Sequence, residues 1–278
     1  MASAAEILPE FLITKALSEL PGENFLKLYD AAIVKGKYPQ MLLNLFDDYK
    51  GKKYNQSPRK IDAESQTYLV LSLTLAGPEV EKVILKNTKE ILSILAQVCF
   101  ADAVAESVLE FEHRDQHVSN IFIETTEEPE IIVELNGTTF GIKTFGKLVR
   151  LADYGNSRLK LVNSIICKDL EKEGLFEEDD AITDLHQQVY LQINNGKDFT
   201  PKTSVLWLQY LIQKLTKYEG TNSSKFSKQP PKTDVKLTSR KEISKELCDG
   251  IAVLPNAQAV AKYFESHKLF EGIITQKV

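Results

Sequence analysis

The residues best suited to chemistry form two short runs. The first, His113-Arg114-Asp115-Gln116-His117-Val118-Ser119-Asn120, sets an asparagine five positions after an aspartate. The second, Asp153-Tyr154-Gly155, follows the apolar stretch Leu148 to Ala152. An aspartate in such a loop can take the proton of a substrate hydroxyl. An asparagine oxygen and a second aspartate can hold Mg2+ on nucleotide phosphates. A single histidine is more often a core or capping group, and a single Asp-x-Gly is more often a turn. The weight lies in the pair, in this order and on matching elements. A different chemistry is also open, because Glu106, Glu110, His113 and His117 would share one helical face if the helix ran on, as metal ligands. The strand-like letters directly after His117 count against it.

The rest of the chain must position these runs. Its 278 residues are 43% hydrophobic and 26% charged, which excludes collagen-like, coiled-coil and wholly disordered chains. A net charge of -5 excludes an all-over basic coat, so no direct nucleic-acid site is expected. No apolar run reaches the roughly 18 to 20 residues that span a bilayer, so no membrane partner is expected. Cys99, Cys167 and Cys248 are too scattered for a disulfide framework or a Cys-x-x-Cys zinc site. The opening letters lack the marks of a secretory signal, and a reducing intracellular compartment is the expectation.

Apolar spacing predicts a helix over Glu6 to Leu20, with Pro9 in its first turn and Pro21-Gly22 ending it. Phe25 to Val34 reads as a strand, Tyr38 to Tyr49 as a short helix and Lys50 to Pro58 as a loop. Thr67 to Leu75 reads as a buried strand that ends in a turn at Ala76-Gly77-Pro78. Thr88 to Phe111 is a long amphipathic helix by its period, with Ile91, Ile94, Leu95, Val98, Ala101, Val104, Val108 and Leu109 on the buried side. The period then changes to two. Asn120 to Ile123 is a strand, Glu130 to Leu135 and Thr138 to Thr144 flank the hairpin signal Asn136-Gly137, and Leu148 to Ala152 is a further strand. Helices are expected at Asp184 to Ile193, Val205 to Tyr218, Lys241 to Leu247 and Ala257 to Phe264. Thr221 to Lys241 is rich in Ser, Lys and Pro and reads as a loose loop. The fold class is α+β.

The first run is the H-R-D-x-x-x-x-N catalytic-loop pattern of protein kinases, and Asp153-Tyr154-Gly155 has the place and form of their D-F-G motif. The neighbouring residues narrow the resemblance. Phe111-Glu112-His113-Arg114-Asp115-Gln116-His117 and Asp153-Tyr154-Gly155-Asn156-Ser157-Arg158-Leu159 resemble the haspin branch of the eukaryotic protein kinases, which carries D-Y-T and a following S-R-L. So do Glu6-Ile7-Leu8-Pro9-Glu10, Val205-Leu206-Trp207-Leu208-Gln209-Tyr210-Leu211 and the tail Lys262 to Phe270. Tyr38 to Leu43 resembles that family's insertion in the N-lobe. As in haspins, no A-P-E follows Asp153.

That resemblance implies a protein-kinase-like fold with a mainly helical C-lobe, and ATP and Mg2+ as cofactors. It implies Asp115 as catalytic base, with Arg114 and His113 shaping its loop, and Asn120 and Asp153 as Mg2+ ligands. Glu10 would be the C-helix glutamate that pairs with the phosphate-holding lysine. Leu73 would be the gatekeeper, Thr74, Ala76 and Gly77 the adenine hinge, and Phe122 the adenine floor. Asp184 would anchor the catalytic loop from below. Haspins phosphorylate a threonine near the amino terminus of histone H3, so the implied partner is that tail or another basic peptide, in a chromatin setting. The implied location is the nucleus and chromosomes, with the cytoplasm as an alternative. His117, Glu79 and Glu81 would face the peptide, with Glu177, Glu178, Asp179 and Asp180 adding to the acidic field or lying on a solvated face.

Departures from the pattern shape the functional expectation. The nine residues before Glu10 contain neither glycine nor lysine, and no Gly-x-Gly-x-x-Gly occurs anywhere. Residues 1–75 are therefore expected to be a partial N-lobe, reduced to helix C and the fourth and fifth N-lobe strands, and 76–278 a nearly complete C-lobe. Gly155, Ala76 and Thr74 also replace the family's usual Thr, hinge Gly and acidic hinge residue. ATP binding is expected to be weak and phosphoryl transfer slow or absent. Two functions compete: a haspin-like serine/threonine kinase, and a pseudokinase kept as a peptide- or protein-binding module.

Overall fold

The structure, a computed structural model, describes residues 4–49, 57–60, 66–162, 164–168, 170, 189, 192, 198–217 and 240–277. They form two compact units, Lys27–Thr74 and the remainder of the chain on either side of it.

The smaller unit is built on a two-stranded antiparallel ribbon. Strand β1 (Leu28–Lys35) pairs with β2 (Thr67–Leu73), from Leu28 opposite Leu73 to Lys35 opposite Thr67. Helix α2 (Gln40–Asp48) starts after Pro39, whose fixed φ suits a helix entry. The expected strand at Phe25 begins instead at Leu28, because Phe25 packs its ring in the other unit. The buried strand expected at Thr67 to Leu75 is also corrected. No residue of β2 is buried, and Val70 is 49% exposed. Successive side chains alternate sides, and a two-stranded ribbon has no layer to cover both.

In the larger unit, helix α1 (Ala4–Ser18) buries Ile13, Ala16 and Leu17. It starts earlier than its apolar spacing suggests, since Ala4 and Ala5 extend it, so Pro9 lies inside the helix and not in its first turn. Helix α3 (Thr88–Leu109) is the core of this unit. Asn87 caps it by accepting from the Glu90 N–H at 3.1 Å, and Glu110, at φ 47, stops it. Its expected amphipathic face is corrected: every residue from Glu90 to Glu106 is buried, while Val108 is 60% exposed. By length and composition α3 could cross a membrane, contrary to the reading of the letters. However, 89% of its most apolar window is packed inside the protein.

Around α3 run three small sheets among the described residues. Strand β3 (Ile121–Thr125) pairs with β6 (Lys147–Leu151), with Ile121 opposite Leu151. Strands β4 (Glu130–Leu135) and β5 (Thr138–Lys143) form the expected hairpin, with Asn136 and Gly137 both at positive φ, and β9 (Ile274–Gln276) joins β5. A second hairpin joins β7 (Arg158–Leu161) to β8 (Ser164–Cys167). Helices α4 (Lys202–Lys217), α5 (Arg240–Ile251) and α6 (Ala257–Ser266) complete the core through Trp207, Leu211, Leu247, Val260 and Phe264. Helix α5 takes in Lys241 and runs past Leu247. Most of the loop at Lys50 to Pro58, of the helix at Asp184 to Ile193 and of the segment Thr221 to Lys241 lies outside the described residues.

Gln97 of α3 acts as a substitute backbone for β6. Its oxygen accepts from the Val149 N–H at 2.9 Å, and its nitrogen donates to the Lys147 carbonyl at 2.9 Å. Gln97→Leu strands both groups in the core and should cost roughly 2–4 kcal/mol in urea unfolding. A loss below about 0.5 kcal/mol contradicts this role for Gln97.

Candidate active site

The loop after α3 is shaped by a carboxylate with no exposed surface. Glu112 receives both arms of the Arg114 guanidinium, at 3.3 and 3.1 Å, and the Thr200 N–H at 2.9 Å. Its backbone exchanges two 2.8 Å hydrogen bonds with Arg158 of β7, and Ser157 Oγ donates to the His113 carbonyl at 2.8 Å. The loop is thereby tied to the segment that follows Asp153.

Arg114 and Asp153 both hold positive φ, at 62° and 63°. Neither is glycine, so each stores strain that the packing around it must sustain. The packing is aromatic. Tyr154 lies 5.5 Å from the His113 ring, 6.3 Å from Phe111 and 6.4 Å from Phe25, centre to centre. Burial pushes the His113 pKa down, against the pull of Asp115, and keeps the ring neutral.

Asp115 is set between two side chains. Asn156 Nδ2 donates to its Oδ2 at 3.0 Å, and His117 Nε2 stands 3.5 Å from its Oδ1. His117 Nδ1 accepts from the Ser119 N–H, so a neutral His117 carries its proton on Nε2, toward Asp115. Asn120 donates its amide to the Asp115 carbonyl at 2.9 Å, which commits the nitrogen to the loop. The Asn120 carbonyl accepts from the Ala152 N–H at 3.2 Å, so Asn120 and Asp153 flank the same end of the β3–β6 ladder.

Glu10 comes to this end from α1. Burial first, then the charge of Asp153, pushes its carboxyl up, while Lys168 pulls it back. Gly77, at φ 79, touches β3 so closely that a Cβ would stand 2.3 Å from the Ile123 carbonyl oxygen, which gives the glycine a structural reason. Pro78 accepts from the Ile123 N–H and Glu79 bridges to Phe122, so Ala76 to Glu79 runs along β3. Glu79 pairs with Lys82 at 2.7 Å, and Glu81 accepts from Ser119 Oγ at 3.2 Å, beside His117. Thus Asp115, Asn120, Asp153, His113, Arg114, His117, Glu10, Glu81 and Phe122 gather on one unit. Leu73 and Thr74 belong to the smaller unit, where Thr74 and Lys27 close the ribbon by exchanging two hydrogen bonds. Asp184 and the acidic run Glu177 to Asp180 lie outside the described residues.

The metal alternative on Glu106, Glu110, His113 and His117 is overturned, because α3 ends at Leu109 and the four never share a face. Glu106 accepts from the Ala257 N–H, and Glu110 holds Lys160 and Arg158. Among the described residues no cluster of three His, Cys, Asp or Glu side chains is placed to hold a metal.

The family match below implies a protein-kinase-like fold, and the structure is of mixed helix and strand. The match to the haspin-like kinase domain covers residues 3–271, and the chain belongs to that family. It is 34% identical over 254 residues to serine/threonine-protein kinase haspin of Mus musculus, covering 87% of this chain and 32% of that protein. It is 30% identical over 235 residues to the haspin homolog of Drosophila melanogaster, covering 79% of this chain and 41% of that one. The haspin homolog of Arabidopsis thaliana is 28% identical over 242 residues, or 81% of this chain and 40% of that protein. The chain therefore spans less than half the length of these relatives.

Sequence reasoning missed the Glu112–Arg158 tie, Lys168 and a polar pair behind the loop. Gln116 Nε2 donates to Asp102 Oδ1 of α3 at 2.8 Å, while Asp102 Oδ2 and Gln116 Oε1 are both buried without a partner among the described residues. A proton on Oδ2 would let the carboxylic acid and the amide bond reciprocally. Burial, aided by the charge of Glu106 and opposed by the Gln116 amide, pushes the Asp102 pKa from 3.8 up to about 8. A folded pKa raised above the unfolded one gives stability that is whole below the unfolded value and lost as pH rises toward the folded one. Asp102→Asn keeps the pairing without the proton. From about pH 5.5 to 7.5 it should gain on the wild type in urea unfolding, by up to about 1.4 kcal/mol per pH unit. An equal difference at both pH values contradicts this.

Proposed function

We propose that this chain carries the phosphoryl-transfer site of a haspin-like serine/threonine kinase, with Mg2+ and ATP as cofactors and a protein hydroxyl as acceptor. The observation that carries the reading is the convergence of Asp115, Asn120 and Asp153 at one end of the β3–β6 pair. The donor set fits the metal: an amide oxygen on Asn120 and a carboxylate on Asp153 are the hard oxygen ligands that Mg2+ takes. The missing Cβ of Gly155 leaves room beside Asp153 Oδ1. Bound Mg2+ and ATP supply the transferable phosphoryl group and the positive charge that offsets its oxygens.

The chain's own residues do the rest. Asp115 accepts the proton of the substrate hydroxyl, with its carboxylate aimed by Asn156 and His117. Arg114 and Glu112 hold the loop, and neutral His113 packs it onto Tyr154. We assign α1 to the C-helix position, β1 and β2 to the two N-lobe strands, and residues 76–278 to the C-lobe. Ala76, Gly77 and Phe122 are assigned to the adenine site. Glu79, Glu81 and His117 suit a basic peptide, and by the family resemblance a threonine of the histone H3 tail is the proposed acceptor.

A second reading is a peptide-binding module without transfer. Incorporation of labelled phosphate from ATP into a histone H3 tail peptide separates the two. Slow transfer that Asp115→Asn lowers by roughly 100-fold or more supports the kinase reading. Transfer that survives Asp115→Asn unchanged contradicts it. A chain that binds the peptide but neither binds nor consumes ATP is the module.

A further inference from the structure

Three charged side chains from three separate segments converge on the place where Gly155 lacks a Cβ. From that point Asp153 Oδ1 is 3.3 Å away, Lys168 Nζ 3.8 Å and Glu10 Oε2 3.9 Å. Asp153 follows β6, Lys168 follows β8 and Glu10 sits on α1, which packs against β8. Both Glu10 and Lys168 are half-buried. Lys168 also acts electrostatically on Glu10, against Asp153.

We propose that Lys168 is a phosphate-binding residue of this chain, taking the phosphate oxygens of a metal-bound nucleoside di- or triphosphate beside Asp153. The inference rests on the reading that a nucleotide binds at Asp153, and it adds the side chain that meets its phosphates. Lysine is a compact point charge on a flexible stem, suited to phosphate oxygens. Two carboxylates and one ammonium give this cluster one net negative charge, which a divalent ion reverses and a polyphosphate then balances. Glu10 is the group that holds such a lysine in kinases, where the lysine stands on an N-lobe strand. Here Lys168 comes toward Glu10 out of the segment after β8. The glycine at 155 is part of the design, since a side chain there would fill the space in which the three groups meet.

Titration of the whole chain with a fluorescent ADP analogue in Mg2+, and separately with adenosine, tests the assignment. Lys168→Met should weaken the diphosphate about tenfold and leave adenosine unchanged, while Lys168→Arg should keep most of the affinity. A merely structural lysine would lower both ligands together, and that outcome overturns the proposal. Equal diphosphate binding by wild type and Lys168→Met overturns it too, while leaving the nucleotide reading intact. A wild-type chain that binds neither ligand removes both.

Discussion

A buried carboxylate organises the site. Glu112 has no exposed surface, and a charge so placed persists only with full compensation by ion pairing and hydrogen bonds. Arg114 supplies a two-armed guanidinium and Thr200 an N–H, while the Glu112 backbone is locked to Arg158. Everything downstream depends on this geometry. Arg114 takes its left-handed turn because its side chain must reach Glu112, two residues back. That turn presents Asp115 outward between Asn156 and His117, and Ser157 and Arg158 carry the Asp153 segment against the same loop.

The neighbouring layers show how polar groups are accommodated so deep in the unit. Gln97 completes the β6 ladder from within a helix, and Asp102 backs the loop through Gln116. Aromatic rings from Phe25, Phe111 and Tyr154 fill the space between, and they hold His113 uncharged. The inner side of the site is closely packed, where strained residues need support. On its outer side lie Asp115, Asn120 and Asp153, where ligands would act.

What was legible in the letters follows from local physics. Asn136-Gly137 can adopt the two positive φ angles of a tight hairpin, so β4 was readable to the residue and β5 to within one. The order of Asp115, Asn120 and Asp153 follows from spacing alone, and the structure sets Asn120 just before β3 and Asp153 just after β6. The β7–β8 hairpin was not, since Val162 at φ 50 is a residue that rarely takes that shape. β2 read as buried from its branched and apolar run, yet burial depends on partners that no local pattern reveals. Phe25 looked continuous with β1 because pattern reading cannot see that its ring belongs with Tyr154. Lys168 gave no signal at all, as its meaning arises only where three distant segments meet.

The account stands most directly on where a metal nucleotide binds. A crystal structure of this chain grown with Mn2+ and a non-hydrolysable ATP analogue would answer that. The account predicts anomalous density for the metal on the Asn120 oxygen and the Asp153 carboxylate, with the terminal phosphate facing Asp115. Metal and nucleotide bound away from these residues, or none bound at saturating ligand, would contradict it.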